Sequence, residues 1–293
     1  MANLTKILKI NTRGEFFVDS TCIDCDACRQ IAPEVFADSG GYSYVYSQPK
    51  NEIEKRKAVQ ALISCPVGAI GFINDNSRFL ISSVINDFPI LIEDDVFYCG
   101  FNSEKSFGAN SYFIKNQSGN WLVDSPRFVL HLVKKFESMG GIKYIFLSHR
   151  DDVADAGKFA SHFNSSVIIH KDDLFGFKNA DIVIEGNNPI EIEPEFIVIP
   201  TPGHTKGHCV LLYKNKFLFT GDHLWWDRDE KHLDAGRDVC WYSWERQIES
   251  MEKLIAFDFE WILPGHGQRV KLSKSDVKKE LEKLVERMKR WGR

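Results

Sequence analysis

Four cysteines carry the first chemistry legible in this 293-residue chain. Cys22, Cys25 and Cys28 fall in TCIDCDACRQIAPEVF, and Cys65 follows in ALISCPVGAIGF, directly before Pro66. Three thiolates spaced three residues apart on one tight loop, joined by a fourth from a distant segment, form a ligand set for an iron–sulfur cluster. Structural zinc sites instead use two widely separated C-x-x-C pairs. Disulfides belong to oxidising compartments, and MANLTKILKI is too short and too charged for a secretory signal. A reducing, cytoplasmic setting is therefore expected. The quartet is filled and no second set of four exists, so the spacing predicts one [4Fe–4S] cluster. Cys99, Cys209 and Cys240 are scattered and read as small buried hydrophobes.

A second set of residues could do metal chemistry. His149, Asp151 and Asp155 lie in LSHRDDVADA, His204 in PTPGHTKGH, Asp222 in FTGDH and His266 in LPGHG. A strand that runs straight into His or Asp throws that side chain out at the end of a sheet, and four separate apolar runs end so. Imidazole and carboxylate converging from such loops suit zinc, iron or manganese. Asp222, set among apolar FLFTG and LWW, needs a cation or a hydrogen-bond network to offset its desolvation. His208 is expected beside this site in a structural role, His170 to contact backbone, and His223 to point away from Asp222's side. Trp225, Trp226, Trp241, Tyr242 and Trp244 bracket an aromatic segment that suits a substrate wall or a covering mini-core.

The elements that must position these groups follow from periodicity. Beyond residue 78 the order is strand-like text, a helix from about Ser125 to Gly140, the strand KYIFLSH, a helix near Asp155 to Phe163, and the strand SSVIIH. EFIVIPTPG, HCVLLYKNKFLFTGD, a helix around Trp244 to Phe257 and WILPGHG complete the series. The C-terminal SKSDVKKELEKLVERMKRWGR sets Val277, Leu281, Leu284, Val285 and Met288 at helical spacing, so an amphipathic closing helix is expected. The junction near residues 75 to 90 has no low complexity and reads as short and structured. Net charge is −4 with 27% charged residues, which excludes a nucleic-acid patch. No apolar stretch is long enough to span a membrane.

The cysteine segments, with IAPEVF and CPVGAI, resemble single-cluster bacterial-type ferredoxins over about residues 1 to 78. From about residue 85 to 270, GANSYFI, WLVDSP, IFLSHRDDVADA, PTPGHTKGH, FTGDH and LPGHG resemble the metallo-β-lactamase superfamily, in the family's order and most like its glyoxalase II-type members. The resemblance implies an α+β chain, with a ferredoxin-like domain over 1–78 followed by an αββα sandwich over 79–293. It further implies that His149, His204 and His266 bind metal and that Asp222 bridges two metals. The usual H-x-H-x-D-H loop is altered: Asp151 stands for the second histidine, Asp155 comes two places late, and Ala156 follows it where a histidine is expected. One site from His149, Asp151, His204 and Asp222 is expected, and a poorer one from Asp155, Asp222 and His266, giving one tightly bound divalent metal. Asp152 can substitute for Asp151.

Three functions fit these residues. The leading one is a redox-linked metalloenzyme, fed by the cluster and by a redox partner protein, as in the superfamily's diiron members that reduce O₂ or NO. The second is ester or thioester hydrolysis on a small-molecule substrate, with Asp155 orienting or deprotonating the attacking water. The third is a non-catalytic electron-transfer or scaffold protein.

Overall fold

The computed structural model describes residues 2–74 and 77–291. The chain forms two compact units, Met1–Ile142 with Ala154–Phe163, and Lys143–Val153 with Asn164–Arg293.

The first unit begins with a small layered motif. Strands Phe16–Val18 and Ile70–Phe72 pair antiparallel, with Phe16 opposite Phe72 and Val18 opposite Ile70. Between them lie the helix Ala27–Ile31, the hairpin Phe36–Asp38 with Ser43–Val45, and the helix Glu52–Ser64. Asn51 starts that second helix by accepting from the Glu54 amide at 2.9 Å, satisfying a donor that the first turn leaves open. The helix ends at Ser64, so Cys65 emerges at its C-cap.

The junction contains the helix Ser77–Val84; residues 75 and 76 of the expected structured stretch lie outside the described residues. Four strands then run antiparallel in order, Ile90–Glu93, Val96–Tyr98, Tyr112–Ile114 and Trp121–Val123. Helices Leu130–Ser138 and Ala156–Phe163 complete this core: Phe136 stacks on Phe113 at 4.7 Å, and Phe159 lies 5.9 Å from Phe136. The expected Ser125–Gly140 helix starts later, at Leu130. Pro126 disfavours helical geometry at Ser125, and the amides of Arg127 and Phe128 donate to Phe101 O and Asp155 Oδ2 instead of to a helix.

In the second unit, Tyr144–Phe146, Ser166–His170 and Ile182–Ile184 pair parallel. A six-stranded sheet follows the order Ile190–Glu193, Phe196–Pro200, Cys209–Tyr213, Phe217–Gly221, Trp261–Pro264, Val270–Lys271. Its one parallel pair, Phe217–Gly221 with Trp261–Pro264, is connected through the helix Trp244–Leu254, as parallel strands require a crossover. The closing helix Lys274–Trp291 buries Val277, Leu281, Leu284, Val285 and Met288, the five residues its spacing marks. They join Leu218, Met251 and Leu254 in one apolar core. Among the described residues no helix is long and apolar enough to cross a membrane.

Candidate functional site

Strand ends of the second unit deliver the histidine and aspartate side chains. His149 follows the strand Tyr144–Phe146 by three residues, and His204 follows Phe196–Pro200 by four. Asp222 comes directly after Phe217–Gly221, and His266 is two residues past Trp261–Pro264. The Nε2 atoms of His149, His204 and His266 converge on Asp222 Oδ2 at 3.6, 3.7 and 3.8 Å. Asp151 Oδ2 lies 3.9 Å from His149 Nε2 and 3.8 Å from His204 Nε2.

Two groups of donor atoms result, each within 4.8 Å: His149, His204 and Asp222, and Asp152, Asp222 and His266. Asp222 belongs to both. Asp151 and Asp152 therefore face different neighbours. A Cβ at Gly265 would lie 2.8 Å from Asp222 Oδ1 and 2.9 Å from Asp152 Oδ2, so this glycine leaves space for the two carboxylates.

The donor set fits a divalent cation. Among the described residues, His149 Nε2 and both ring nitrogens of His204 are buried without a hydrogen-bond partner, and each such atom costs about 1–3 kcal/mol unless something binds it. Ser148 Oγ meets His149 Nδ1 at 3.0 Å, orienting the ring so that Nε2 faces Asp222. Burial pushes the His149 pKa down to about 3 against the opposing pull of Asp222, keeping the imidazole neutral with a lone pair to give.

Asp155 belongs to neither donor group. It accepts from Lys105 Nζ at 2.8 Å and from the Phe128 amide at 3.0 Å, and Lys158 Nζ lies 3.2 Å away. Burial raises its pKa, but these three donors outweigh that and hold it at about 2. Asp155 was expected to bind metal and to orient water; the geometry gives it ion pairs, while Asp152 stands with Asp222 and His266.

One residue that sequence reasoning passed over organises two of the loops. Asp173 is fully buried and accepts from the Arg150 amide at 3.2 Å, the Thr205 hydroxyl at 2.5 Å and the Gly207 amide at 3.2 Å. Arg150 separates His149 from Asp151, and Thr205 follows His204. The partners are 23 to 34 residues away in sequence, so no local signal marks Asp173.

Three further histidines belong to neither donor group. His208 Nδ1 meets Thr201 Oγ1 at 3.0 Å, and its ring stacks on His223 at 4.5 Å. His170 donates to Gly186 O at 3.0 Å. The aromatic segment divides: Trp244 is buried and donates to Met288 O, whereas Trp241 is 62% exposed with its ring 6.2 Å from that of His204. The amides of Trp241 and Tyr242 both donate to His204 O, so this segment also fixes that histidine's backbone.

In the first unit, Cys22, Cys25, Cys28 and Cys65 line one small cavity of about 20 Å³. Burial pushes the Cys25 thiol up to about 12 and Cys28 well above its ordinary value. Four gathered thiols, two of them buried and two partly exposed, fit metal, which deprotonates them on binding. The Asp24 and Ala69 amides donate to Cys22 and Cys65 sulfur at 3.4 and 3.3 Å. Asp24 and Asp26 take left-handed φ values of 58° and 64°. Arg29, 8% exposed, holds their carboxylates at 2.7 and 2.6 Å and fastens the loop.

Each of these residue groups falls within a segment that matches a known family. Residues 18–72 match the 4Fe-4S single cluster domain of Ferredoxin I, and residues 106–266 match the metallo-beta-lactamase superfamily. A hydroxyacylglutathione hydrolase of Citrobacter koseri is 26% identical over 42% of this chain and 50% of its own length. That of Pectobacterium atrosepticum is 33% identical over 26% of this chain and 30% of its own. The chain thus spans half or less of these curated relatives. The DIM-1 metallo-beta-lactamase superposes with a TM-score of 0.50 at 18% identity, covering 67% of this chain and 95% of that one. A metallo-beta-lactamase family protein of Thermus thermophilus gives 0.50 at 14% identity over 68% and 81%. The α+β class follows, a ferredoxin-like part with a metallo-β-lactamase sandwich. With more than half of its residues matched, the chain belongs to the metallo-beta-lactamase superfamily and joins that fold to a single-cluster ferredoxin domain.

Proposed function

We propose that this protein is a redox-linked metalloenzyme whose second unit holds two metal ions. The observation that carries this reading is the donor set itself, three imidazoles with three carboxylates, Asp151, Asp152 and Asp222. Replacing an imidazole by Asp151 hardens the first site and favours iron or manganese over zinc. Asp152 fills the second group, so two metals take the place of the single tight metal that Ala156 led us to expect. The same chain carries the cysteine cavity, which supplies a one-electron carrier.

Metal at this site supplies a Lewis acid or a one-electron couple. The residues do the rest. His149, His204 and Asp151 form one set of donors, His266 and Asp152 the other, and Asp222 lies between them. Asp173 holds the two loops in register. Asp151 and His266, 49% and 27% exposed at their side chains, mark the side from which a small molecule enters.

A second reading rests on the similarity to hydroxyacylglutathione hydrolases: hydrolysis of a thioester, with the cluster in a regulatory role. Metal analysis of anaerobically purified protein separates the two. Iron beyond the cluster's complement and reductant-dependent consumption of dioxygen or nitric oxide, lost in Cys25→Ser while the second centre stays loaded, supports the redox reading. Zinc in the site and thioester hydrolysis indifferent to Cys25→Ser would sink it. A loaded protein inactive in both assays leaves electron transfer without catalysis.

A further inference from the structure

The cysteine cavity touches residues that lie well beyond the ferredoxin-like match. Gly108, inside the segment matching the metallo-beta-lactamase superfamily, packs so closely on Cys25 that a Cβ there would lie 2.8 Å from Sγ. Arg127, also inside that segment, reaches back with Nη2 to Ile63 O at 3.2 Å and to Cys65 O at 3.3 Å. Its guanidinium is thus bonded to the peptide of a cluster ligand. Among the described residues no carboxylate lies within ion-pair distance of Arg127, although Asp155 acts on it from further off, and the guanidinium remains charged at any ordinary pH.

The backbone that presents Arg127 is held on both sides. The Arg127 amide donates to Phe101 O at 2.8 Å, and the neighbouring Phe128 amide donates to Asp155 Oδ2 at 3.0 Å. Asp155 is itself fixed by Lys105 and Lys158. The aspartate that the altered motif offers as a metal ligand is thus a positioning residue for the stretch carrying Arg127.

We propose that Arg127 sets the reduction potential of the cluster held by Cys22, Cys25, Cys28 and Cys65, raising it by fixing a positive charge at the Cys65 carbonyl. This rests on the reading of the cysteine cavity as a [4Fe–4S] site. The reduced cluster carries one more negative charge than the oxidised one, so a fixed cation beside a ligand favours reduction. Low local dielectric strengthens the effect, and hydrogen bonds and charge around the ligands are the levers by which proteins set these potentials. The cation comes from outside the ferredoxin-like match, so the potential belongs to the fusion and not to the ferredoxin segment alone.

The experiment is an EPR-monitored redox titration of the full chain and of Arg127→Gln, Arg127→Met and Arg127→Lys, with iron and sulfide assayed on each. The neutral variants should retain four cluster irons and titrate at lower potential than the native protein, with Arg127→Lys in between. Neutral variants that titrate with the native protein overturn the proposal, as does a Lys variant shifted as far as Gln. Loss of the cluster in both neutral variants makes Arg127 a structural strap and equally overturns it. A native protein without iron and sulfide overturns the cluster reading itself, and the proposal with it.

Discussion

The hydroxyl of Thr205 donates to Asp173 across 2.5 Å, and that contact ties the His204 loop to the carboxylate that also accepts from the Arg150 amide. One buried side chain thereby sets the register of the two loops that carry His149 and His204, proposed metal ligands. Asp173→Ala is expected to lower metal affinity by roughly 10–100-fold, the usual effect of removing a group that orients ligands. It should also cost about 2–3 kcal/mol of stability by leaving buried donors unpaired. Competition with a chelator and urea unfolding measure the two effects. Native metal affinity in a folded Asp173→Ala protein would show that the loops hold their register without it.

Asp152 and Asp155 make opposite predictions for metal content. Asp152→Ala removes a donor from the group with Asp222 and His266 and should lower the metal count of the second unit by one. Asp155→Ala should leave that count unchanged, because the carboxylate is engaged by Lys105, Lys158 and the Phe128 amide. Metal analysis of the two purified proteins decides. Loss of a metal in Asp155→Ala, with Asp152→Ala unaffected, would restore the assignment made from motif spacing.

Asp155 also predicts a pH dependence. Burial opposes its charge, but its donors prevail and hold the folded-state pKa at about 2, below the ordinary aspartate value near 3.9. A carboxyl depressed in the folded state contributes stability that is fully present above the unfolded pKa. That contribution is lost as pH falls from about 4 towards 2, where the folded state also takes up the proton. Asp155→Asn should therefore show a shallower decline in stability across that interval. Thermal melts of both proteins from pH 5 down to 2.5 test this, and identical slopes would show that other groups govern the acid limb.

What the sequence disclosed, and what it hid, follows the range of the contacts involved. The cysteine quartet was legible because its ligand spacing is local and its fourth member precedes a proline. The closing helix was legible because Val277 through Met288 repeat at the helical period. His149, His204, Asp222 and His266 were legible because each terminates an apolar run. The division of labour among Asp151, Asp152 and Asp155 was hidden, since three carboxylates within five loop residues carry no period to say which turns where. Lys105 captures Asp155 from 50 residues away, and the partners of Asp173 are similarly distant. The aromatic segment allowed either a core or a substrate wall; Trp244 is buried in the core and Trp241 is exposed.

Gly108 offers a test of the cluster's surroundings by a single methyl group. Its φ of +86° lies in the left-handed region, and a Cβ would meet Cys25 Cβ at 2.7 Å and Sγ at 2.8 Å. Alanine there is strained by its backbone and crowds a ligand sulfur. Gly108→Ala should lower cluster occupancy and shorten its lifetime in air, read as iron, sulfide and visible absorbance. Full occupancy with native air stability would mean that the segment around Gly108 can move away from the cluster.

Trp241 separates the redox and hydrolytic readings by the size of what must bind. Its indole is 62% exposed and lies 6.2 Å from the ring of His204, so it forms an apolar surface beside a proposed metal ligand. A thioester substrate large enough to lie on this surface loses contact area when the ring is removed. At about 25 cal/mol per Å², losing some 50–80 Å² of contact weakens binding by about 1–2 kcal/mol, or roughly 5–30-fold in KM. A diatomic oxidant is too small to use that surface, so its KM should hardly change. Trp241→Phe controls for the backbone, because the Trp241 amide donates to His204 O whatever the side chain. Under the proposed redox function, Trp241→Ala keeps its KM for dioxygen or nitric oxide within about twofold of native, a difference under 0.5 kcal/mol. A rise in KM for thioesters alone, with kcat preserved and Trp241→Phe intermediate, would instead place a bulky substrate on the indole and favour hydrolysis. A fall in kcat for every substrate, with metal lost, would show that the side chain serves chiefly to seat His204.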